Sequence, residues 1–181
     1  MSNTGIDTGI ERIVEIPEGT EVRVEGSVIH VKGKNGELSR EFRKGYVNIV
    51  KEGDRVIFRP AIDKKEAVSL VGTYASHLKN MIKGLDEGFE YRLKVIYAHF
   101  PVKIEVKGDK VVISNFLGER SPRTASIYEG VRVDISKEEI TVKGIDKEKV
   151  GQTAANIERA TKIKRKDRRV FQDGAYLVRR I

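Results

Sequence analysis

The sequence predicts an α+β protein of two tandem duplicated domains, each an antiparallel β-sheet packed against one α-helix, plus a basic C-terminal extension. Three observations lead to this prediction: an internal repeat at a spacing of roughly 80 residues, one amphipathic helical pattern in each copy, and basic residues concentrated at the end of the chain. The length of 181 residues suits one or two domains of the usual size, roughly 100–200 residues each.

The repeat becomes visible when the first half of the chain is aligned with the second. The matched segments, in chain order, are 22–26 with 104–108, 36–39 with 118–121, 55–58 with 139–142, 62–64 with 145–147, and 71–78 with 150–157. Each match is short, but their shared order at nearly constant spacing indicates a duplication. We therefore predict domains at residues 1–84 and 85–172, followed by a C-terminal tail at 173–181.

Each copy opens with a pattern that is typical of a β-hairpin. Alternating apolar residues flank a glycine-containing turn at 25–27 in the first copy and at 107–110 in the second, and such turns between alternating runs mark hairpins. Further strands are predicted at 46–50, 55–59, 131–135 and 139–143 from the same alternation.

One helix follows in each copy. Apolar residues recur at three- and four-residue steps and so form one stripe, namely Val68, Val71, Ala75, Leu78 and Ile82 in the first helix and Val150, Ala154 and Ile157 in the second. Asp63 and Asp146 are the predicted N-caps. Gly84 is expected to end the first helix and to begin a linker at 84–88.

The charge distribution is the strongest compositional clue to function. The chain carries a formal net charge of +8 and has no cysteine, so disulfides and thiolate metal sites are excluded. Residues 159–181 contain nine basic and two acidic residues, a net charge of +7, and the rest of the chain is close to neutral. Such a concentration favours a polyanionic partner.

No amphipathic apolar face accompanies these basic residues, which argues against binding to a membrane surface. We also expect neither a signal peptide nor a membrane-spanning segment.

The basic segment, residues 160–174, is the first candidate for contact with nucleic acid. Its Lys and Arg side chains can neutralise phosphates without reading base sequence. Phe171 and Tyr176 offer faces on which unpaired bases could stack. The alternatives are a solvated charge run and a nuclear-targeting signal.

Two loops at equivalent places in the repeat, 32–36 and 115–123, are the second candidate. Glycine allows a backbone to approach a phosphate closely, although a simple connecting turn explains the first loop equally well. Arg120 and Arg123 favour contact in the second loop. Neither loop has the spacing of a Walker motif.

Catalysis and metal binding find no support in the residue pattern. His30, His77 and His99 are isolated, and no pair of them has the spacing of metal ligands on a helix. Neither a nucleophile elbow nor a dinucleotide-binding glycine fingerprint is present. We therefore expect no enzymatic activity, cofactor or metal.

Several segments resemble one known family. Residues 150–158, the basic run after them and residues 171–178 resemble the C-terminal signature of the ribosomal large-subunit protein six family, in its archaeal and eukaryotic branch. Residues 70–84 resemble the family's first-helix motif, and Ile16-Pro17 also fits. The resemblance covers nearly the whole chain, and the absence of cysteine suits an archaeal member.

This resemblance implies two tandem α+β domains and a structural, non-catalytic role in the large subunit of the cytoplasmic ribosome. The implied partners are large-subunit rRNA near the base of the factor-binding stalk, neighbouring large-subunit proteins, and translation GTPases nearby, with no membrane and no small-molecule substrate. Most RNA contact is expected in the second domain, less in the first. The implied RNA-binding residues are Arg120, Arg123, Lys162, Lys164, Arg165, Lys166, Arg168, Arg169, Lys32 and Lys34.

Two rival functions come from other classes. A free-standing nucleic-acid-binding chaperone would share the basic composition, but would bind many RNA sequences with similar affinity. An RNA-processing enzyme would need a metal site or an acid–base cluster, which the sequence does not display.

Overall fold

The chain divides into two units, Met1–Glu87 and Gly88–Ile181. The computed structural model describes residues 10–97, 99–164, 166–167 and 169–180. The division follows the last turn of the first helix, three residues beyond the boundary that the sequence predicts between residues 84 and 85.

The first unit consists, in its described part, of six strands and one helix. They are β1 (Arg12–Glu15), β2 (Glu21–Glu25), β3 (Val28–Gly33), β4 (Gly36–Glu41), β5 (Val47–Glu52), β6 (Arg55–Pro60) and α1 (Lys65–Asp86). The strands form two antiparallel sheets in the orders β1-β6-β5 and β2-β3-β4. Helix α1 contacts strands of both sheets and buries Val71, Leu78 and Leu85 completely.

The second unit repeats this arrangement and adds one strand. Its elements are β7 (Phe89–Ile96), β8 (Lys103–Lys107), β9 (Lys110–Ser114), β10 (Arg123–Ser126), β11 (Val131–Ser136), β12 (Glu139–Gly144), α2 (Lys147–Ala160) and β13 (Gly174–Arg180). The sheet orders are β11-β12-β7-β13 and β10-β9-β8. Leu93, Ile140, Val150 and Ile157 are completely buried where α2 covers the larger sheet.

The two units share sheet orders and register, which confirms the predicted duplication and the α+β class. In the first unit the Ile16 N–H donates to the Asp54 carbonyl over 2.8 Å, and in the second the Val95 N–H donates to the Glu138 carbonyl in the same way. The strands of each unit are divided between two sheets, a separation that strand-by-strand patterns do not reveal because it depends on which strands pair.

The structure corrects two predictions about helix ends. Asp146 caps α2 as predicted, since its carboxylate accepts from the Glu148 and Lys149 N–H groups, but the N-cap of α1 is Lys64, without a side-chain cap bond. Helix α1 does not end at Gly84 but runs to Asp86. The completely buried Leu85 holds the last turn against its own unit, so the helix continues where its sequence permits an end.

Most of the segment predicted as a tail at 173–181 is a strand of the second unit. Residues Gly174–Arg180 form β13, which pairs antiparallel with β7. Alternate side chains, Ala175 and Leu177, face the apolar core of the second unit. Neither described helix combines the length and hydropathy required to cross a bilayer.

Candidate nucleic-acid interface

The basic segment begins as a backbone that is fastened to the second unit at alternate residues. Thr161 and Ile163 are buried, while Lys162 and Lys164 between and after them are exposed. The Thr161 hydroxyl donates to helix carbonyls and accepts the Ala175 N–H over 2.9 Å. This alternation points both lysines outward from an anchored backbone.

Arg123 joins the loop before β10 to the end of α2. Its guanidinium donates to both carboxylate oxygens of Glu119, at 2.8 and 2.6 Å. One of its nitrogens also donates to the carbonyls of Ala160 and Lys162, at 2.9 and 3.1 Å, and the group lies 4.5 Å from the centre of the buried Phe116 ring. The resulting contacts hold the loop at 119–123 beside the start of the basic segment.

The contact with Arg123 shifts the pKa of the Glu119 carboxylate. The hydrogen-bonded guanidinium of Arg123 holds the pKa of Glu119 below its ordinary value, against the opposing effect of partial burial. The bidentate geometry is the strong form of an Arg–carboxylate pair. Arg123, with 23% of its side chain exposed, thus donates four hydrogen bonds within the protein. Its contact with RNA stays a prediction.

A third segment, residues 99–101, packs against the far end of the basic segment. His99 Nδ1 lies 2.8 Å from a carboxylate oxygen of Asp173, whose side chain is completely buried. The His99 ring stacks on Phe171 with their centres 4.6 Å apart, and the Lys166 ammonium lies 4.4 Å from the centre of the Phe171 ring. Phe171 therefore takes part in the protein's own packing, and its stacking on a base stays a prediction.

The same segment also touches the 115–118 turn. The Asn115 side chain donates to the Pro101 carbonyl over 2.9 Å. The Phe100 ring covers Gly118, where a Cβ would come within 3.2 Å of the ring and where φ is +76°. Contacts among the described residues of 99–101, 115–123 and 160–174 thereby bring these three segments together. Their exposed side is here called the basic surface.

Most of the predicted RNA-binding residues that can be located on the basic surface are exposed. Arg120 is exposed and has no hydrogen-bond or ion-pair partner among the described residues. Exposed side chains are also found at Lys162, Lys164, Lys166 and Arg169. Arg165 and Arg168 lie outside the described residues.

The loop at residues 32–36 of the first unit binds the end of helix α1. The Asn35 N–H donates to the Leu85 carbonyl over 3.0 Å, and its side-chain amide donates to the Asp86 carbonyl over 2.9 Å. These bonds satisfy carbonyls at the end of α1 that no intrahelical donor reaches. A Cβ on Gly33 would lie 2.8 Å from the Leu85 Cβ, so this close approach requires glycine.

The two lysines of that loop have different surroundings. Lys32 on β3 is paired by register with Glu21 on β2 and Glu37 on β4, so its charge is offset by carboxylates on both sides. Lys34 is exposed in the turn. Gly33 and Asn35 therefore hold the turn on α1. Of the two lysines, Lys34 is the one with no carboxylate opposite it on a neighbouring strand.

The comparison with known proteins agrees with this two-unit architecture. A sequence model of the family described as ribosomal protein L6 matches residues 16–88 and 100–174, one match in each unit. The chain belongs to the ribosomal protein L6 family. It is therefore a structural ribosomal protein and not an enzyme, and the resemblance seen in the sequence is confirmed.

Relatives from three archaea carry the name large ribosomal subunit protein uL6. The protein of Methanothrix thermoacetophila is 49% identical over 93% of this chain and 96% of its own length. That of Methanococcus vannielii is 50% identical over 93% of both chains, and that of Methanocella arvoryzae is 48% identical over 92% and 94%. The similarity thus spans both L6 units and the basic segment.

Other charged residues of this L6 family member form an ion-paired surface away from the basic segment. On the larger sheet of the second unit, Glu90 lies between Arg92 and Lys143, and hydrogen bonds from Lys143 and then Arg92 lower the pKa of its carboxylate. Within the described ranges, no group of three His, Asp or Glu side chains could hold a metal ion.

Sequence reasoning missed the contacts that organise the basic surface. The pair formed by His99 and Asp173 is separated by 74 positions, and Arg123 reaches Ala160 across 37. Neither pair shows a periodicity or a motif, because the contacts depend on how separate elements pack. The one local signal was the four-residue spacing of Glu119 and Arg123.

Proposed function

We propose that this chain is a constituent of the large ribosomal subunit that binds large-subunit rRNA near the base of the factor-binding stalk, through the basic surface. The observation that supports this most directly is the fastening of three segments by Arg123, Asp173 and Phe100, which leaves Arg120 and the lysines of the basic segment pointing outward. The names of the archaeal relatives support the assignment to the large subunit.

Affinity in this proposal comes from phosphate neutralisation. Lys162, Lys164, Lys166 and Arg169 present a row of cations, and Arg120 adds one from the neighbouring loop. Each neutralised phosphate releases counterions, so binding depends steeply on salt. RNA selectivity comes from shape, because the anchored backbone fixes the spacing of these charges.

Arg123 is assigned a positioning role. It keeps the predicted place on the basic surface but holds Glu119, Ala160 and Lys162 together, and so sets where its neighbours project. Arg165 and Arg168 remain assigned to RNA by their sequence position, and Lys34 is a candidate for a minor contact by the first unit. Lys32, between two carboxylates, contributes less.

The remaining partners follow from the proposed place on the ribosome. Neighbouring large-subunit proteins contact the nearly neutral first unit, and translation GTPases dock nearby. No membrane and no small-molecule substrate takes part.

The test is binding of the full chain to large-subunit rRNA across a salt series. Replacing Lys162 and Lys164 with Glu should reduce the log–log salt slope by about 2, since each lost phosphate contact removes about 0.9. The matched control replaces Lys51 and Lys110, which are exposed strand residues outside the basic surface, and should leave the slope unchanged.

Two results would count against the proposal. Equal losses in the variant and the control would mean that overall charge, and not the basic surface, drives binding. Similar affinity for unrelated RNA of the same length would favour a free-standing nucleic-acid chaperone.

A further inference from the structure

The duplicated sheet has a further strand in the second unit, and the part of the chain that the structure describes contains no counterpart in the first. In the second unit β13 pairs with β7 along the edge opposite β12. In the first unit β1 corresponds to β7 and pairs with β6. Across the residues that the structure describes, no strand pairs with the other edge of β1.

The register shows which backbone groups of β1 face this edge. The Ile16 N–H donates to Asp54 of the first unit, as the Val95 N–H donates to Glu138 of the second. Because hydrogen-bonded and non-bonded pairs alternate in an antiparallel ladder, the amides of Val14 face β6 and those of Ile13 and Glu15 face outward. The outward positions correspond to Arg92 and Lys94 of β7, whose backbone groups face β13 by the same alternation.

Side chains of the second unit hold the free edge of β13, and the first unit has different side chains at the corresponding positions. The Leu177 N–H donates to a carboxylate oxygen of Glu158 over 2.9 Å, and the Ala175 N–H donates to the Thr161 hydroxyl. The repeat alignment places Lys79 and Ile82 of α1 at the positions of Glu158 and Thr161. Helix α1 therefore offers a cation where α2 offers a carboxylate.

A groove runs along the open edge. It is lined on one side by Ile13 and Val14 of β1 and on the other by Lys79 and Ile82 of α1. Asp86 and two ion pairs, Glu15 with Arg55 and Glu87 with Lys83, also line it. Beside Arg12 and Lys79 the groove continues along the helix with no carboxylate in its described lining. Ile13 is 43% exposed. Neither Arg12 nor Lys79 has an ion-pair partner among the described residues. The end of the groove beside these two residues therefore presents apolar surface, outward backbone groups and positive charge.

We propose that the open edge of β1 binds an extended, acidic segment of a neighbouring protein, which adds a strand to the first sheet as β13 does to the second. Backbone groups at strand spacing recognise another polypeptide backbone. Arg12 and Lys79, which form no ion pair with the described residues, select carboxylates on it. RNA would complement the positive charge of Arg12 and Lys79, but it has no peptide backbone to pair with the outward N–H and C=O groups of β1. The inference rests on the proposed function only in that the neighbour is a ribosomal protein.

The test uses large subunits assembled with the full chain carrying a photo-crosslinking phenylalanine analogue in place of Ile13, with the same analogue at the exposed Val50 as the control. Sedimentation first shows whether the chain enters the subunit. The expected product joins position 13 to an acidic segment of another protein. Val50 lies on the edge strand β5 and should not give that product.

A backbone variant tests the strand pairing itself. Ile13→Pro removes the outward N–H and leaves the ladder to β6 intact, a position in which an edge strand tolerates proline, whereas Ile13→Thr retains the N–H. In assembled subunits, amide exchange of residues 12–16 should slow at least about tenfold relative to the free protein. Ile13→Pro should abolish the slowing, and Ile13→Thr should preserve it.

The outcomes separate this inference from the proposed function. A chain that enters the subunit but crosslinks at position 13 only to RNA, to its own residues 1–9 or to nothing overturns the inference alone. Unchanged amide exchange on assembly does the same. A chain that fails to sediment with the subunit overturns both.

Discussion

The guanidinium of Arg123 and the carboxylate of Glu119 form a two-pronged contact, with nitrogen–oxygen distances of 2.8 and 2.6 Å. The same guanidinium reaches the carbonyls of Ala160 and Lys162. One side chain thus connects a loop, the end of a helix and the start of the basic segment, and the position of the exposed cations depends on it.

Arg123→Ala should lower the free energy of unfolding of the second unit by about 1–3 kcal/mol, because it leaves partly buried carbonyls and a carboxylate without their donor. Urea unfolding measures this loss. Arg120→Ala is the matched control, expected within about 0.5 kcal/mol of the parent but with a salt slope for rRNA smaller by about 1. A stable Arg123→Ala variant would mean that the contact does not organise the surface.

Glu119→Gln should make the stability of the second unit less dependent on pH. The folded protein holds the pKa of Glu119 below its ordinary value of 4.5, so the stabilisation is present above that pH and is lost as pH falls through the lowered pKa. The variant should be less stable at pH 7, and the gap should close below about pH 4.5. Unfolding midpoints from pH 7 to 3 test this, with Glu129→Gln as an exposed control, and a constant gap would contradict it.

Gly33→Ala and Gly72→Ala should change stability in opposite directions. The new methyl at 33 would lie 2.8 Å from the Leu85 Cβ, and such overpacking costs about 1–3 kcal/mol. Gly72 is inside α1 with nothing within 4 Å of an added Cβ, so alanine there should stabilise by about 0.5–1 kcal/mol. Thermal unfolding of both variants measures these changes. If both variants change stability in the same direction, the β3–β4 turn does not pack closely on α1.

Asp146→Ala should destabilise α2 by about 1 kcal/mol, because the carboxylate accepts from two N–H groups of the first turn. Lys64→Ala, at the N-cap of α1 that lacks a side-chain bond, should change stability by less than about 0.5 kcal/mol. Denaturant midpoints at neutral pH measure both effects. Equal losses at the two positions would show that capping is not the cause.

Local patterns in the sequence were enough to predict the duplication, the hairpins, one helix in each unit and the cap at Asp146. These features depend on spacings of a few residues, on turn chemistry and on the alternation of apolar side chains. The charge asymmetry and the motifs around residues 150–158 and 171–178 likewise pointed to RNA and to the family.

What the sequence could not predict involves contacts between distant residues. Asp63 and Asp146 look alike in the sequence, but the backbone at the start of α1 makes Lys64 the N-cap. Gly84 permits a helix end, but burial of Leu85 carries α1 onward to Asp86.

The sequence by itself thus determined the fold class, the repeat and the basic character of the C-terminal segment, because composition and periodicity are local properties. Only the tertiary structure decided that Arg123 points inward while Arg120 points outward. It also decided that residues 174–180 form a strand beside β7, whereas no described strand pairs with the corresponding edge of β1. These outcomes depend on which elements pack together, and the free energy of that packing is shared among residues far apart in the chain.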